Sequence, residues 1–351
     1  MIANKYGIGF VDSSYIIQRN LAAISRGKKP GEYTAADVIR STIQTINKIN
    51  RDYKSIAGCD KFVLLADKWD PEYLGYWRTQ LLKGAYKDTR GDGTDTEGKP
   101  IYYDMRYYES IKDSPSLTEQ EKEEVKEKAY KNEVRSKAKR VIQGELRNFG
   151  IPTIGILGWE ADDLAYLATG LLYTDDPSVK PNLIITKDTD QQFSISPKVD
   201  YFKIPGGKQE PKVITYDEMY ATIPDFLKGR ISLYNYHAYF ESLGDSHNDM
   251  RSPRKPGTDV DTTILHILDG DYSDLEDIEL FKRNISSFNI GNFPRFEEAR
   301  RAILDLVPTA GRLGTLGEFH EFCDKHGITG ISDKYFTEFI SRFDPKLFSE
   351  R

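Results

Sequence analysis

Four short apolar runs constrain this fold more than any other feature, because each leads straight into a carboxylate. They are "YGIGFVDSS" (6–14), "DKFVLLAD" (60–67), "PTIGIL" (152–157), which continues into "GWEADD", and "PNLIITKDTD" (181–190). Runs rich in Val, Ile and Leu without polar alternation suit strands covered on both faces, as in a parallel sheet between helices. Helical patterns lie between them, notably "ADVIRSTIQTINKIN" (36–50) and the apolar stretch that begins at Leu164. The alternation predicts an α/β fold with a central, mostly parallel sheet flanked by helices. In such sheets ligands bind outside the carboxyl ends of the strands. Asp12, Asp67, Glu160 and the pair Asp188/Asp190 are therefore expected at one edge. On a strand, residues two apart point the same way, so Asp188 and Asp190 are expected side by side.

The stretch "GWEADDLAYLATG" (158–170) sets Glu160, Asp162 and Asp163 directly ahead of an apolar helical face. Acidic residues in a first turn complement the helix dipole, and a cap is the simpler account of any one of them. Capping does not explain why carboxylates recur after successive strands. Crowded carboxylates repel, and desolvation drives protonation unless cations compensate. Hard divalent ions with oxygen ligands are the natural compensation, with Mg²⁺ favoured where phosphates share the coordination. The pattern therefore points to a multi-metal phosphotransfer or phosphohydrolase site.

Other chemistries are poorly supplied. The two cysteines, Cys59 and Cys323, form neither a CxxC unit nor a disulfide framework, so a reducing cytoplasm is the expected compartment. The five histidines make no HExxH pair, which argues against a zinc hydrolase. No apolar run is long enough to span a bilayer, and the N-terminus lacks a signal-peptide layout. A net charge of −6 disfavours a non-specific nucleic-acid coat, yet the charge is uneven. Between Lys126 and Arg147 eight basic residues, among them Lys128, Lys131, Arg135 and Lys139, face three glutamates. A solvated helix face is the simpler reading of that run taken alone.

The region 68–148 is a long excursion between the second and third strands. Its polar, Gly-rich middle "KDTRGDGTDTEGKP" (87–100) is followed by the aromatic "IYYDMRYYES" (101–110) and a charged helix from about Leu117 to Phe149. "KVDYFKIPGGKQEPKVITYDEMY" (198–220) reads as a hairpin turning at Gly206-Gly207. From Val260 onward the pattern is helical. These shifts divide the chain into an α/β core, 1–220, and a mostly helical region, 221–351.

The ordered series Asp12, Asp67, "EADD" (160–163), "TKDTD" (186–190) and "GDYSD" (270–274) resembles the 5′-nuclease superfamily, which is PIN-like and includes the flap endonucleases. Over nearly the full chain it looks most like the RNase H/5′→3′ exonucleases of T-even-like tailed phages, on "LLADKWDPEYLGYWR" (64–78) and "AYKDTR" (85–90). The resemblance implies two Mg²⁺ ions, with Mn²⁺ able to substitute. Asp12, Asp67, Glu160, Asp162 and Asp188 would surround the first; Asp163, Asp190, Asp271 and Asp274 would form a looser second site. Lys87 and Arg90 would neutralise the scissile phosphodiester, Tyr86 would stack on a base, and Arg78 would be a basic residue facing DNA. The excursion becomes an arch that admits a single-stranded 5′ end, with the basic helix touching phosphates, and the C-terminal region a helix–three-turn–helix-type element.

The implied activity is metal-dependent hydrolysis near the 5′ end of DNA and RNA–DNA duplexes or at 5′ flaps, by a monomer. Primer removal in phage replication, in the host cytoplasm, is the implied role, with a single-strand-binding protein or sliding clamp as a candidate partner. The sequence departs from the family after "GDYSD", where "LEDIELFKRN" (275–284) lacks the glycine-rich hairpin that anchors duplex. The segment 222–256 has no counterpart. Two other readings compete. A haloacid-dehalogenase-like phosphatase would need a second acid where "VDSS" has Ser14, and a catalytically idle DNA-end binder would tolerate the loss of metal carboxylates.

Overall fold

The computed structural model describes residues 4–70, 76–82, 103–205, 209–244, 251–305 and 314–340. β1 (Tyr6–Asp12) leads into α1 (Ser13–Ser25), α2 (Ala35–Asp52), α3 (Lys54–Ala57) and β2 (Cys59–Leu65). The short α4 (Trp77–Leu81) and α5 (Met105–Ile111) precede the long α6 (Glu119–Glu145). Then come β3 (Thr153–Ile154), α7 (Ala161–Leu171), β4 (Asn182–Thr186), β5 (Val199–Lys203) and β6 (Lys212–Ile214). The rest is helical: α8 (Tyr216–Tyr220), α9 (Leu233–Ser242), α10 (Val260–Leu268), α11 (Ile278–Ser286), α12 (Phe296–Leu304), α13 (Leu316–His326) and α14 (Asp333–Ile340).

The strands form a mixed, mostly parallel six-stranded sheet flanked by helices, in the order β3-β2-β1-β4-β5-β6. β4 and β5 run parallel, from Asn182 opposite Val199 to Thr186 opposite Lys203. β6 returns antiparallel, with Tyr201 opposite Ile214, so 198–220 does contain a hairpin; its turn lies outside the described residues. The chain forms two compact units. One comprises Met1–Leu64, Gly91–Thr153 and Leu306–Arg351; the other comprises Leu65–Arg90 and Ile154–Asp305.

In the first unit, α2 starts at a Thr34/Asp37 capping box and turns Val38, Ile39, Ile43, Ile46 and Ile49 into the core. That is the i, i+3/i+4 stripe of a helix packed on one face. α6 begins at a second capping box, Thr118/Glu121, and buries only Ala129, Val134, Ala138, Val141 and Ile142 over its 27 residues. The C-terminal helices join this unit. Phe149 packs edge-on against Phe319, Phe322 and Phe336, while Lys325 and His326 pair with Glu145 at the end of α6.

In the second unit β4 is buried along its whole length. β3 is shorter than its apolar run suggests, because the chain turns away after Ile154. Gly158 adopts a left-handed conformation (φ 82°) and donates to Lys68 O at 2.7 Å. At Gly155 an added Cβ would lie 2.8 Å from the Lys68 side chain. The 222–256 segment supplies α9, capped by Ser232. No helix among the described residues is long and apolar enough to cross a membrane.

Candidate metal centre

The centre lies within the second unit, at the start of α7. Glu160 is the extended N-cap residue, and Asp162 and Asp163 occupy the first turn. The first N–H groups of a helix have no partner inside it, and here carboxylates supply them. Ala161 N donates to Asp67 Oδ1 at 2.9 Å, Asp163 N to Asp162 Oδ1 at 2.9 Å, and Glu160 N to Asp163 Oδ2 at 3.2 Å. Asp67 is thereby tied to the helix start by the segment that follows β2. Capping is real, but it does not exhaust the arrangement. Glu160, Asp162 and Asp163 can each offer an oxygen such that all three lie within 4.8 Å of one another.

Three carboxylates at that spacing need a cation, and the chain supplies one. The Arg78 guanidinium, from α4, lies among them: Nη1 donates to Glu160 Oε2 at 3.2 Å and to Asp162 Oδ2 at 3.4 Å, and Nη2 pairs with Asp163 Oδ1. Nε donates to Ser287 O at 3.1 Å, and the group sits over the Phe288 ring, 5.1 Å from its centroid. Arg78 is 5 % exposed. Burial pushes the Asp163 carboxyl well above the usual carboxylate range; Arg78 opposes the rise, and the neighbouring Asp162 and Glu160 add to it. This is the behaviour of crowded acids with too little positive charge.

Of the remaining candidates, Asp12 belongs to the first unit, where it is buried and caps α1 by accepting from Tyr15 N at 2.9 Å. Asp188 and Asp190 lie past the end of β4. Asp190 opens a 3₁₀ turn whose backbone N–H donates to Asp188 Oδ1 at 3.3 Å, so the two-residue strand period does not govern them. Asp274 accepts from Thr263 Oγ1 and lies 2.8 Å from His266 Nδ1, and Asp271 accepts from Ser273 N. His266 carried no motif in the sequence; only the turn after α10 brings it to Asp274. Tyr86, Lys87 and Arg90 lie outside the described residues. On α6, Lys128 lies over the Tyr103 ring, Lys131 pairs with Glu127, and Arg135 donates to Gln18; Lys139 is half-buried on the same helix.

The donor set fits a hard divalent ion. All the groups are carboxylate oxygens, without thiol or imidazole among the three, which suits Mg²⁺ or Mn²⁺ better than softer metals. No family model matches the chain, and no curated protein matches it by sequence. Solved structures do. A flap endonuclease of bacteriophage T5, solved as a pseudo-enzyme–product complex with DNA and metal ions, aligns over 95% of this chain and 99% of its own, with 17% identity and a TM-score of 0.48. The T5 5′-exonuclease with bound zinc gives 17% identity and 0.47 over the same shares. The catalytic core of Rad2 in complex with DNA substrate covers 97% of this chain and 93% of its own, at 14% identity and 0.41.

Proposed function

We propose that the chain is a divalent-metal-dependent 5′-nuclease that hydrolyses phosphodiesters near the 5′ end of DNA and RNA–DNA duplexes or at 5′ flaps. Its products carry 5′-phosphates, and its role is primer removal in phage replication. The observation that carries this reading is the meeting of Glu160, Asp162 and Asp163 at the start of α7, with Asp67 hydrogen-bonded to the same turn. Glu160, Asp162, Asp67 and Asp188 would hold one ion in this proposal, and Asp190, Asp271 and Asp274 would contribute to a second. Divalent ions bound by these carboxylates would supply Lewis-acid polarisation of a phosphoryl oxygen and of a water.

The protein's own part is positioning and charge. The carboxylates fix where the scissile phosphate can sit, and Lys87 and Arg90 offset its negative charge as it grows in the transition state. Tyr86 offers a face to an unpaired base, and the basic side of α6, with Lys128, Lys131, Arg135 and Lys139, contacts phosphates along the strand. A 5′-labelled flap duplex incubated with and without Mg²⁺ tests the proposal, with matched DNA and RNA–DNA duplexes alongside. Short labelled products that need Mg²⁺ and vanish in Glu160→Gln support it; cleavage that persists in chelator refutes it.

One observation favours a second reading. Arg78 already gives the acidic cluster a cation, as a DNA-end binder without chemistry would require. In the same assay, tight flap binding without products at any Mg²⁺ concentration selects that reading.

A further inference from the structure

The placement of Arg78 differs from that of a residue that meets nucleic acid. Its guanidinium is 5 % exposed, and each of its nitrogens is committed inside the second unit. Nε is bound to Ser287 O, Nη1 to Glu160 and Asp162, and Nη2 to Asp163. A phosphate could reach it only by displacing these partners. Asp163 is similarly committed. One oxygen pairs with Arg78, the other accepts from Glu160 N, and the residue is 3 % exposed. Asp162, by contrast, keeps 29% of its side chain open to solvent. For Asp163 to turn towards an ion, the buried guanidinium would lose its closest counter-charge, a costly state in a low-dielectric interior.

We infer that Arg78 and Asp163 form a buried positioning pair that holds Glu160 and Asp162 in ion-binding geometry, with Asp163 serving as the counter-ion of Arg78 and ligating no metal. This rests on the metal-dependent reading above, and it deepens that reading by dividing the three acids into two ligands and one support. It also moves Arg78 from substrate contact to support of the ligands. The planar fork matters: a lysine carries the charge but cannot span Ser287 O and three carboxylates at once.

Three measurements on the full chain decide it. In crystals soaked with Mn²⁺, the anomalous density should leave the Arg78–Asp163 pair intact; an Asp163 oxygen in the coordination shell overturns the inference. The double variant Arg78→Met/Asp163→Asn removes the guanidinium and its carboxyl partner together and leaves Glu160 and Asp162 in place, so calorimetric Mn²⁺ titration reads the loss of the pair. Affinity should fall about tenfold, the usual effect of removing a group that orients a ligand; unchanged affinity overturns the inference. In chelator, Arg78→Met alone should melt well below the wild type, and adding Asp163→Asn should recover at least half of that loss; additive losses overturn the pairing. If the wild-type chain neither binds Mn²⁺ nor cleaves, the nuclease reading fails, while the melting comparison, which needs no ion, still decides the pair.

Discussion

Asp67→Asn separates the two duties of the acids at the start of α7. Asp67 Oδ1 accepts from Ala161 N at 2.9 Å, and asparagine presents an oxygen at the same place. The hydrogen bond survives, and the structural loss is confined to the attraction between a carboxylate and the helix dipole, about 0.3–1 kcal/mol. In a domain of this size that lowers the melting temperature by at most about 4 °C. Asp67→Ala removes the acceptor as well and should cost about 0.5–2 kcal/mol. The chemical loss is on another scale. A correctly held ion contributes several kcal/mol of charge stabilisation, and about 1.4 kcal/mol is a factor of ten in rate. Asp67→Asn should therefore lose at least about a hundredfold in flap cleavage while melting almost as the wild type does. Single-turnover cleavage in Mg²⁺ and a melting curve on the same preparation check both halves. Wild-type cleavage by the variant would falsify the metal assignment, and a collapse of stability would show that the charge serves the helix rather than the ion.

Asp188→Asn should abolish cleavage and leave flap binding in chelator nearly unchanged, read by gel retardation; equal activity in Mg²⁺ sinks its place in the site. Phe149→Ala should destabilise the first unit by about 3–5 kcal/mol, as is usual for a buried aromatic, because it removes the ring that meets Phe319, Phe322 and Phe336. Early proteolysis within 314–340 is the readout, and unaltered resistance contradicts the packing. Glu145 supplies a pH test. Burial works to raise its carboxyl, but the hydrogen bonds and charges of His326 and Lys325 outweigh burial and hold it below its ordinary 4.5. A carboxyl depressed on folding contributes stability that is present above pH 4.5 and lost as pH falls through the folded value. Because the pair is partly open to solvent, that contribution is about 0.2–1 kcal/mol. Glu145→Gln should flatten the acid limb of the melting profile, and an unchanged limb refutes the coupling.

Much of the architecture was legible because its signals are local. β1, β2 and β4 announce themselves as apolar runs without alternation, since both faces of each are covered. α2 and α6 begin at Thr-x-x-acid boxes, where side chain and backbone satisfy one another within four residues. β3 misled, because an apolar run reports burial rather than pairing, and the turn around Gly158 ends the strand after two residues. α9 was missed for the opposite reason: "LYNYHAYFES" mixes polar and aromatic residues on several faces, and no clean stripe marks it.

The carboxylates show where sequence ends and tertiary structure begins. That Glu160, Asp162 and Asp163 share a helix start is a matter of neighbouring residues, and their number and type already call for a cation. Which cation meets them is not. Arg78 stands 82 to 85 positions away from its three partners, and nothing in "GYWR" separates a guanidinium that faces solvent from one buried among acids. The meeting of Asp274 with His266 likewise depends on how the turn after α10 closes. Local sequence sets which groups a turn presents and what charge they carry. Only the packing of distant segments decides which charges face each other out of water, and that is the arrangement from which ion binding and catalysis are inferred.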